Sequence, residues 1–159
     1  MRGKKNLLII GASGGVAGAF LKLLAPERNQ VGDLILVDVN DRILLDETIC
    51  PEKIRAEFIC RRVDAAGGAA DYRRLLHERR IDIVVDLSVN ETRSMLAETD
   101  AAGVSYINTG IANRIGEDFA AVVFDLIRRK RTGWRNPHIL CAGMNPGVVN
   151  LWVVQEIEA

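Results

Sequence analysis

The chain has 159 residues, enough for one domain of ordinary size, and its apolar fraction of 48% supplies a solid core. Lysine plus arginine equal aspartate plus glutamate at 21 each, so no global charge selects nucleic acid or an anionic membrane surface. No stretch approaches the ~18–20 consecutive apolar residues that a membrane-spanning helix needs, which sets a membrane protein aside.

The first thirty-eight residues carry the strongest signal. The apolar run Leu7-Leu8-Ile9-Ile10 reads as a buried strand, Gly11-Ala12-Ser13-Gly14-Gly15-Val16-Ala17-Gly18 as a glycine-rich turn, and Ala19 to Leu24 as the continuation of a helix. A second apolar run, Leu34-Ile35-Leu36-Val37, delivers Asp38. That order builds a dinucleotide site. Glycines let backbone approach a pyrophosphate, and a helix N-terminus offers free N–H groups and the positive end of its dipole. An acid closing the second strand holds the adenosine ribose hydroxyls, and Asp38 stands twenty residues beyond Gly18, the spacing that this motif expects. The turn reads as G-x-x-G-x-x-A over Gly11, Gly14 and Ala17, with Ser13 where a second glycine often stands and small residues at 17 and 18 for close helix–strand packing. A side chain at Gly14 or Gly15 is expected to displace the pyrophosphate and to meet a backbone angle closed to other residues. A P-loop is excluded, since no Gly-Lys-Ser/Thr follows.

Asp41 to Ile49 predicts a short helix ended by Pro51. Glu57 to Cys60 with Arg61 to Asp64 predicts the third strand, and Ala65-Ala66-Gly67-Gly68 its exit loop. Asp71 to Arg80 is helical, with Leu75 and Leu76 facing inward, and Ile81 to Ser88 is a fourth strand apolar enough to be buried on both faces. Thr92 to Ala102 is the next helix, stopped by Gly103, and Val104 to Asn108 the fifth strand. A longer helix covers 117–131; its terminal Arg128-Arg129-Lys130-Arg131 suits the C-terminal dipole and reads as a solvated face. His138 to Ala142 is a sixth strand that breaks at Gly143-Met144-Asn145-Pro146-Gly147.

Strands alternating with helices predict an α/β fold, a doubly wound parallel sheet of Rossmann type with six strands in the order 3-2-1-4-5-6. Ligands then bind at the carboxyl ends of the strands, at the switch point between strands 1 and 4. The candidate cofactor-binding residues are Gly11, Ser13, Gly14, Gly15, Val16, Ala17, Asp38, Asp64, Ala65, Ser88, Val89, Asn90, Thr109 and Asn145. His138 begins its strand and belongs at the opposite edge; His77 lies in a helix after strand three. Both histidines are isolated, with no cysteine or acidic cluster around them in sequence, so no metal is expected. Three cysteines, 50, 60 and 141, form no C-x-x-C pair and predict reduced thiols in a cytoplasmic protein. Val148 to Val154, with Trp152 among aliphatics, reads as a helix needing cover on more than one side. The expected organisation is therefore a dinucleotide-binding domain over 1–147, with 148–159 starting a linker helix toward a substrate domain outside this chain; a homodimer is the other way to cover that helix.

Taken together these residues resemble the saccharopine dehydrogenase-like family, and within it the homospermidine synthase-like branch. The resemblance rests on Leu8-Ile9-Ile10-Gly11-Ala12 with Gly14-Gly15-Val16, on Val37-Asp38, and above all on Gly143-Met144-Asn145-Pro146-Gly147-Val148-Val149. It covers the whole chain but only the nucleotide-binding half of such enzymes. It implies a nicotinamide cofactor, and reduction of an imine formed between an amine and an aldehyde or keto acid, or the reverse oxidation, so that the partner is a small amine or amino-acid substrate. The glycine turn is one residue longer here than in the family pattern, as Ala12-Ser13-Gly14-Gly15. Pro146 pushes Asn145 toward an extended backbone, which turns its side chain toward the nicotinamide carboxamide. Asp38 favours NAD over NADP, because a 2′-phosphate there meets like charge; Arg42 or Arg61 is positioned to reverse that balance.

Two functions of different class follow: the cofactor domain of an oxidoreductase, with the 159-residue chain alone binding cofactor without turnover, or a non-catalytic nucleotide-sensing or scaffold protein. A self-contained short-chain dehydrogenase is excluded. It needs a tyrosine followed four residues later by lysine, whereas Leu76 follows Tyr72 and Gly110 follows Tyr106 at that spacing.

Overall fold

The computed structural model describes residues 3–41 and 54–143. The helix expected over 41–49, Arg42, Asn145 and the apolar segment 148–154 lie outside the described residues. Six parallel strands form one sheet in the order β3-β2-β1-β4-β5-β6, as the sequence predicts: β1 Lys5–Ile10, β2 Val31–Asp38, β3 Glu57–Cys60, β4 Ile83–Asp86, β5 Ser105–Asn108 and β6 His138–Ile139. Among the described residues four α-helices connect them, α1 Gly15–Leu24, α2 Ala65–Glu78, α3 Thr92–Ala101 and α4 Phe119–Thr132.

Alternation along the strands sorts the core into two layers. Leu8 and Ile10 of β1 join Ile35 and Val37 of β2 on one face, under Tyr72, Leu75, Leu76, Met95 and Leu96 from α2 and α3. Leu7 and Ile9 join Leu34 and Leu36 on the other, against Leu21 of α1. Leu7 to Ile10 of β1 and Ile83 to Val85 of β4 are therefore all apolar, because the middle of the sheet is covered on both faces.

Several element boundaries differ from the sequence-based expectation, each for a local reason. The third strand stops at Cys60, and Ala65 to Gly68 is not an exit loop but the first turn of α2. Asp64 caps that turn, its carboxylate accepting from the Ala66 amide at 2.9 Å, and the helix kinks at Gly68. The fourth strand is shorter than 81–88 because the Asp86 carboxylate captures the Ser88 amide at 3.0 Å and turns the chain. The sixth strand ends at Ile139, before Cys141, whose φ of +60° is incompatible with extended structure. α4 starts at Phe119 because Asp118 caps the Ala120 amide. A 3-10 helix at Ala25–Gln30 was not expected. It presents Arg28, whose guanidinium donates to the carbonyls of Val31, Gly32, Ile54 and Arg55 and so ties the start of β2 to the approach to β3.

The sheet register sets the site. Ile10 lies level with Val37 on one side and Asp86 on the other, Asp38 with Cys60, and Asp86 with Asn108. The chain leaves β1 toward β2 on one side and crosses from β3 to β4 on the other, which opens a crevice above the carboxyl ends of β1 and β4.

Candidate functional site

The turn from β1 into α1 forms the floor of that crevice. The amides of Gly11 and Ala12 both donate to the Val37 carbonyl, at 3.0 and 3.2 Å, which holds the turn across the end of β2. Gly11 has φ of +78°, and a Cβ there would stand 2.9 Å from the carbonyl carbon and oxygen of Leu87 and from the Ser88 nitrogen. The strained glycine is thus Gly11. Gly14, at φ −76°, has an ordinary backbone angle, contrary to the sequence-based expectation for positions 14 and 15, and Gly15 is not among the positive-φ residues. Gly14 caps α1 without a side-chain bond, and the helical ladder begins with the Gly18 amide on the Gly14 carbonyl at 3.0 Å. Helix geometry therefore leaves the amides of Gly15, Val16 and Ala17 without helical acceptors, and those of Gly15 and Val16 lie on exposed residues at an uncapped N-terminus. Gly14, Gly15 and Val16 are exposed, whereas Ala17 is fully buried where α1 meets the sheet.

Asp38 closes β2 beside this turn. Its Oδ2 accepts from the Ser13 amide at 2.9 Å, and its Oδ1 from the Asn40 amide and side-chain nitrogen at 2.9 and 3.1 Å. Burial by itself would raise its pKa, but the amides of Asn40 and Ser13 outweigh that and hold the carboxyl below the ordinary range, so it is ionised. The Ser13 hydroxyl is buried with no hydrogen-bond partner among the described residues. An orphaned donor above a helix N-terminus is a donor set suited to an anionic oxygen.

A groove of about 460 Å³ runs over this floor. Its walls are Gly11, Ser13, Gly14 and Asp38 with Val39 and Asn40 on one side, Arg61 to Val63 at one end, and Leu87, Ser88, Val89 and Asn90 opposite. Seven of the expected residues are thereby brought together: Gly11, Ser13, Gly14, Asp38, Ser88, Val89 and Asn90. Gly15 and Val16 stand at the open end of α1 outside the groove lining, and Ala17 packs beneath it. Asp64 and Ala65 are placed differently. Asp64 is committed to capping α2 and lines an adjoining hollow of about 370 Å³ with Arg61, Arg62, Gly67, Gly68, Asp71 and Tyr72, while Ala65 is buried in the core. Thr109 lies against Gly143, where a Cβ would stand 2.6 Å from the Thr109 carbonyl oxygen, and does not line the groove.

Sequence reasoning missed Asn40, Arg62 and Val63 as lining residues, and the buried Asp86. The Asp86 carboxylate is 3% exposed at the end of β4; its largest influence is burial, which pushes its pKa up, offset only in part by Ser88 and Tyr106. A polar residue ending an otherwise apolar strand was the available signal. His138 begins β6, level with Tyr106 of β5, and does not line the groove. Its Nδ1 accepts from the Tyr106 amide at 3.0 Å, which leaves the proton on Nε2, facing Asp100 at 3.0 Å. Among the described residues no cluster of three or more His, Cys, Asp or Glu forms a metal site, and no described helix is long and apolar enough to cross a membrane.

The fold and the glycine turn at the β1/β4 switch point define a Rossmann-type NAD(P)-binding domain. The saccharopine dehydrogenase NADP-binding domain family matches residues 7–133, and the chain belongs to that family. Among solved structures it is similar to the homospermidine synthase of Legionella pneumophila in complex with NAD, at 13% identity and a TM-score of 0.70, covering 98% of this chain and 34% of that one. It is also similar to the UDP-glucose-4-epimerase of Stenotrophomonas maltophila with bound NAD and formylated UDP-arabinopyranose, at 15% identity and a TM-score of 0.55, covering 85% of this chain and 51% of the other. The chain thus spans about a third of the homospermidine synthase's length. A search of curated proteins finds no match.

Proposed function

We propose that this chain is the cofactor-binding part of an oxidoreductase that acts on C–N bonds of amines or amino acids through an imine, and that it prefers NAD(H). The observation that carries the reading is the uncapped start of α1, set beside the ionised Asp38 and opening into the groove over β1 and β4. Membership of the saccharopine dehydrogenase NADP-binding family supports it, as does the likeness to a homospermidine synthase holding NAD.

In this reading the amides of Gly15 and Val16 and the hydroxyl of Ser13 receive the pyrophosphate, Ala17 packs α1 against the sheet, and Gly14 and Gly15 leave the phosphates room. Asp38 receives the adenosine ribose. Its Oδ2 has one protein donor, from Ser13, and so keeps a lone pair for a ribose hydroxyl. A bound nicotinamide supplies a hydride donor or acceptor; the chain's part is to orient it and exclude water. Val89, 92% exposed on the loop after β4, is the apolar element available to cover that end. Asn145 is proposed to hold the carboxamide, and the substrate and acid–base groups to lie outside residues 1–159.

The preference for NAD(H) rests on charge. A 2′-phosphate brought to Asp38 meets a carboxylate held in its ionised form. Arg61, whose Nε is buried without a partner among the described residues, lines the same groove and is the group that favours NADP(H). Calorimetric titration with both dinucleotides tests the reading. Tighter binding of NAD(H) is expected; tighter binding of NADP(H) overturns the preference, and binding of neither overturns the nucleotide reading.

A further inference from the structure

Asp86 is a buried carboxylate with no cation against it among the described residues. It closes β4, level with Ile10 of β1 and Asn108 of β5, beneath the groove rather than in its lining. Three donors converge on it: the Ser88 amide at 3.0 Å and the Ser88 hydroxyl at 2.6 Å on Oδ1, and the Tyr106 hydroxyl at 2.8 Å on Oδ2. The Ser88 hydroxyl is thereby used as a donor within the protein, and it accepts in turn from the Asn90 amide at 3.1 Å. The Asn90 side chain then donates to the Val63 carbonyl at 2.7 Å. One hydrogen-bonded chain thus runs from β5, through Asp86, along the loop 87–90, to the segment that follows β3.

The last two segments of that chain both line the groove. Leu87 to Asn90 form one wall, Arg61 to Val63 the other end, and the Asn90–Val63 bond joins them. The same loop presses on the glycine turn, since the Leu87–Ser88 peptide occupies the place of a Gly11 side chain. A shift of this loop moves the wall and the floor together.

We propose that Asp86 is a positioning residue for the nucleotide site: through Ser88 and Asn90 it sets the loop 87–90 that walls the groove, without itself touching the cofactor. The proposal rests on the nucleotide reading of the groove. Its cost points the same way. A carboxylate buried without a cation is expensive unless its hydrogen bonds serve something. Burial pushes the Asp86 carboxyl up, so its ionised form is held at the expense of fold stability rather than in its support. The other titratable groups facing it are Tyr106 of β5 and Tyr72 of α2, both pushed up by burial and by the negative charge of Asp86, and so neutral.

The test compares Asp86→Ala, Asp86→Asn, Ser88→Ala and the Asp86→Ala/Ser88→Ala pair, by NADH titration and by amide hydrogen exchange without nucleotide. Asp86→Ala and Ser88→Ala are each expected to weaken NADH binding about tenfold, the worth of a charge-assisted bond. The double variant is expected to be no weaker than Asp86→Ala, because both act through one chain. Asp86→Asn, which keeps an acceptor for Ser88, recovers most of the affinity. Exchange protection falls at Ser88 and Asn90 while Leu8 to Ile10 keep theirs. Wild-type affinity in folded Asp86→Ala, additive losses in the double variant, or unchanged protection at Ser88 and Asn90 each overturn the proposal. If Asp86→Ala does not fold, Ser88→Ala and Tyr106→Phe are measured in the same two ways, and wild-type affinity or unchanged protection in both overturns the proposal equally. A wild-type chain that binds neither NADH nor NADPH overturns the nucleotide reading instead, and the exchange data then show whether Asp86 orders the loop at all.

Discussion

Replacing Gly11 by alanine should unfold this domain more readily than any other glycine change at the site. Two costs combine. The φ of +78° places a non-glycine residue in the left-handed region, at about 1–2 kcal/mol. The new Cβ also meets the Leu87 carbonyl carbon and oxygen and the Ser88 nitrogen at 2.9 Å. These are backbone atoms of a neighbouring strand end that cannot rotate aside, and overpacking of that kind costs about 1–3 kcal/mol. The sum, about 2–5 kcal/mol, is a large share of the ~5–15 kcal/mol that keeps a domain folded. Gly103 separates the two terms. It has the same φ of +78° with nothing within 4 Å of its Cβ position, so Gly103→Ala carries only the backbone cost. Gly14→Ala, at φ −76° with one contact at 3.4 Å, should cost less than about 1 kcal/mol. Urea unfolding followed by circular dichroism measures all three. With a slope of roughly 2 kcal/mol per molar, Gly11→Ala should lower the midpoint by about 1–2.5 M and Gly103→Ala by only about 0.5–1 M. Equal midpoints for Gly11→Ala and Gly103→Ala would refute the steric term, and an unshifted Gly11→Ala would refute both.

Gly14→Val should abolish nucleotide binding in calorimetric titration while the chain stays folded, because the side chain enters the space over an exposed helix N-terminus; retained affinity would make the turn purely structural. Asp100→Ala should cost about 3 kcal/mol in urea unfolding at neutral pH, since Asp100 Oδ1 accepts from the amides of Arg135 and Asn136, the Asn136 side chain and His138. Burial alone would raise the Asp100 carboxyl, but His138 and Asn136 hold it below the ordinary range. Its stabilisation is therefore present above the unfolded value near 4 and lost as pH falls through the lower folded value, so the deficit of the variant should shrink in acid; a deficit independent of pH contradicts this. The 159-residue chain supplied with NAD(H) and amine, amino-acid or imine substrates should show no turnover, and a rate above about 1 per second would place the catalytic groups within it.

The features legible in the sequence are those that local physics decides. Leu7 to Ile10 is apolar throughout because both of its faces are covered, Asp38 ends its strand where apolar residues stop, and alternating strands with right-handed crossovers leave one natural order for the sheet. The glycine turn was likewise recognisable, but not which of its glycines is indispensable. That depends on the Leu87–Ser88 peptide, about half the chain away in sequence, which crosses Gly11 only once β4 has paired with β1. Asp64 and Asp86 show the same limit. Both are acids at a strand's exit, yet one caps the helix that follows it and the other gathers donors from its own loop and from β5. A side chain's partners come from whatever the fold brings alongside. Sequence determined the strands, their order and the place of the crevice; tertiary structure alone decided which polar groups face the groove and which are already bound to the protein, because hydrogen bonds act over about 3 Å and that separation is set by distant segments meeting.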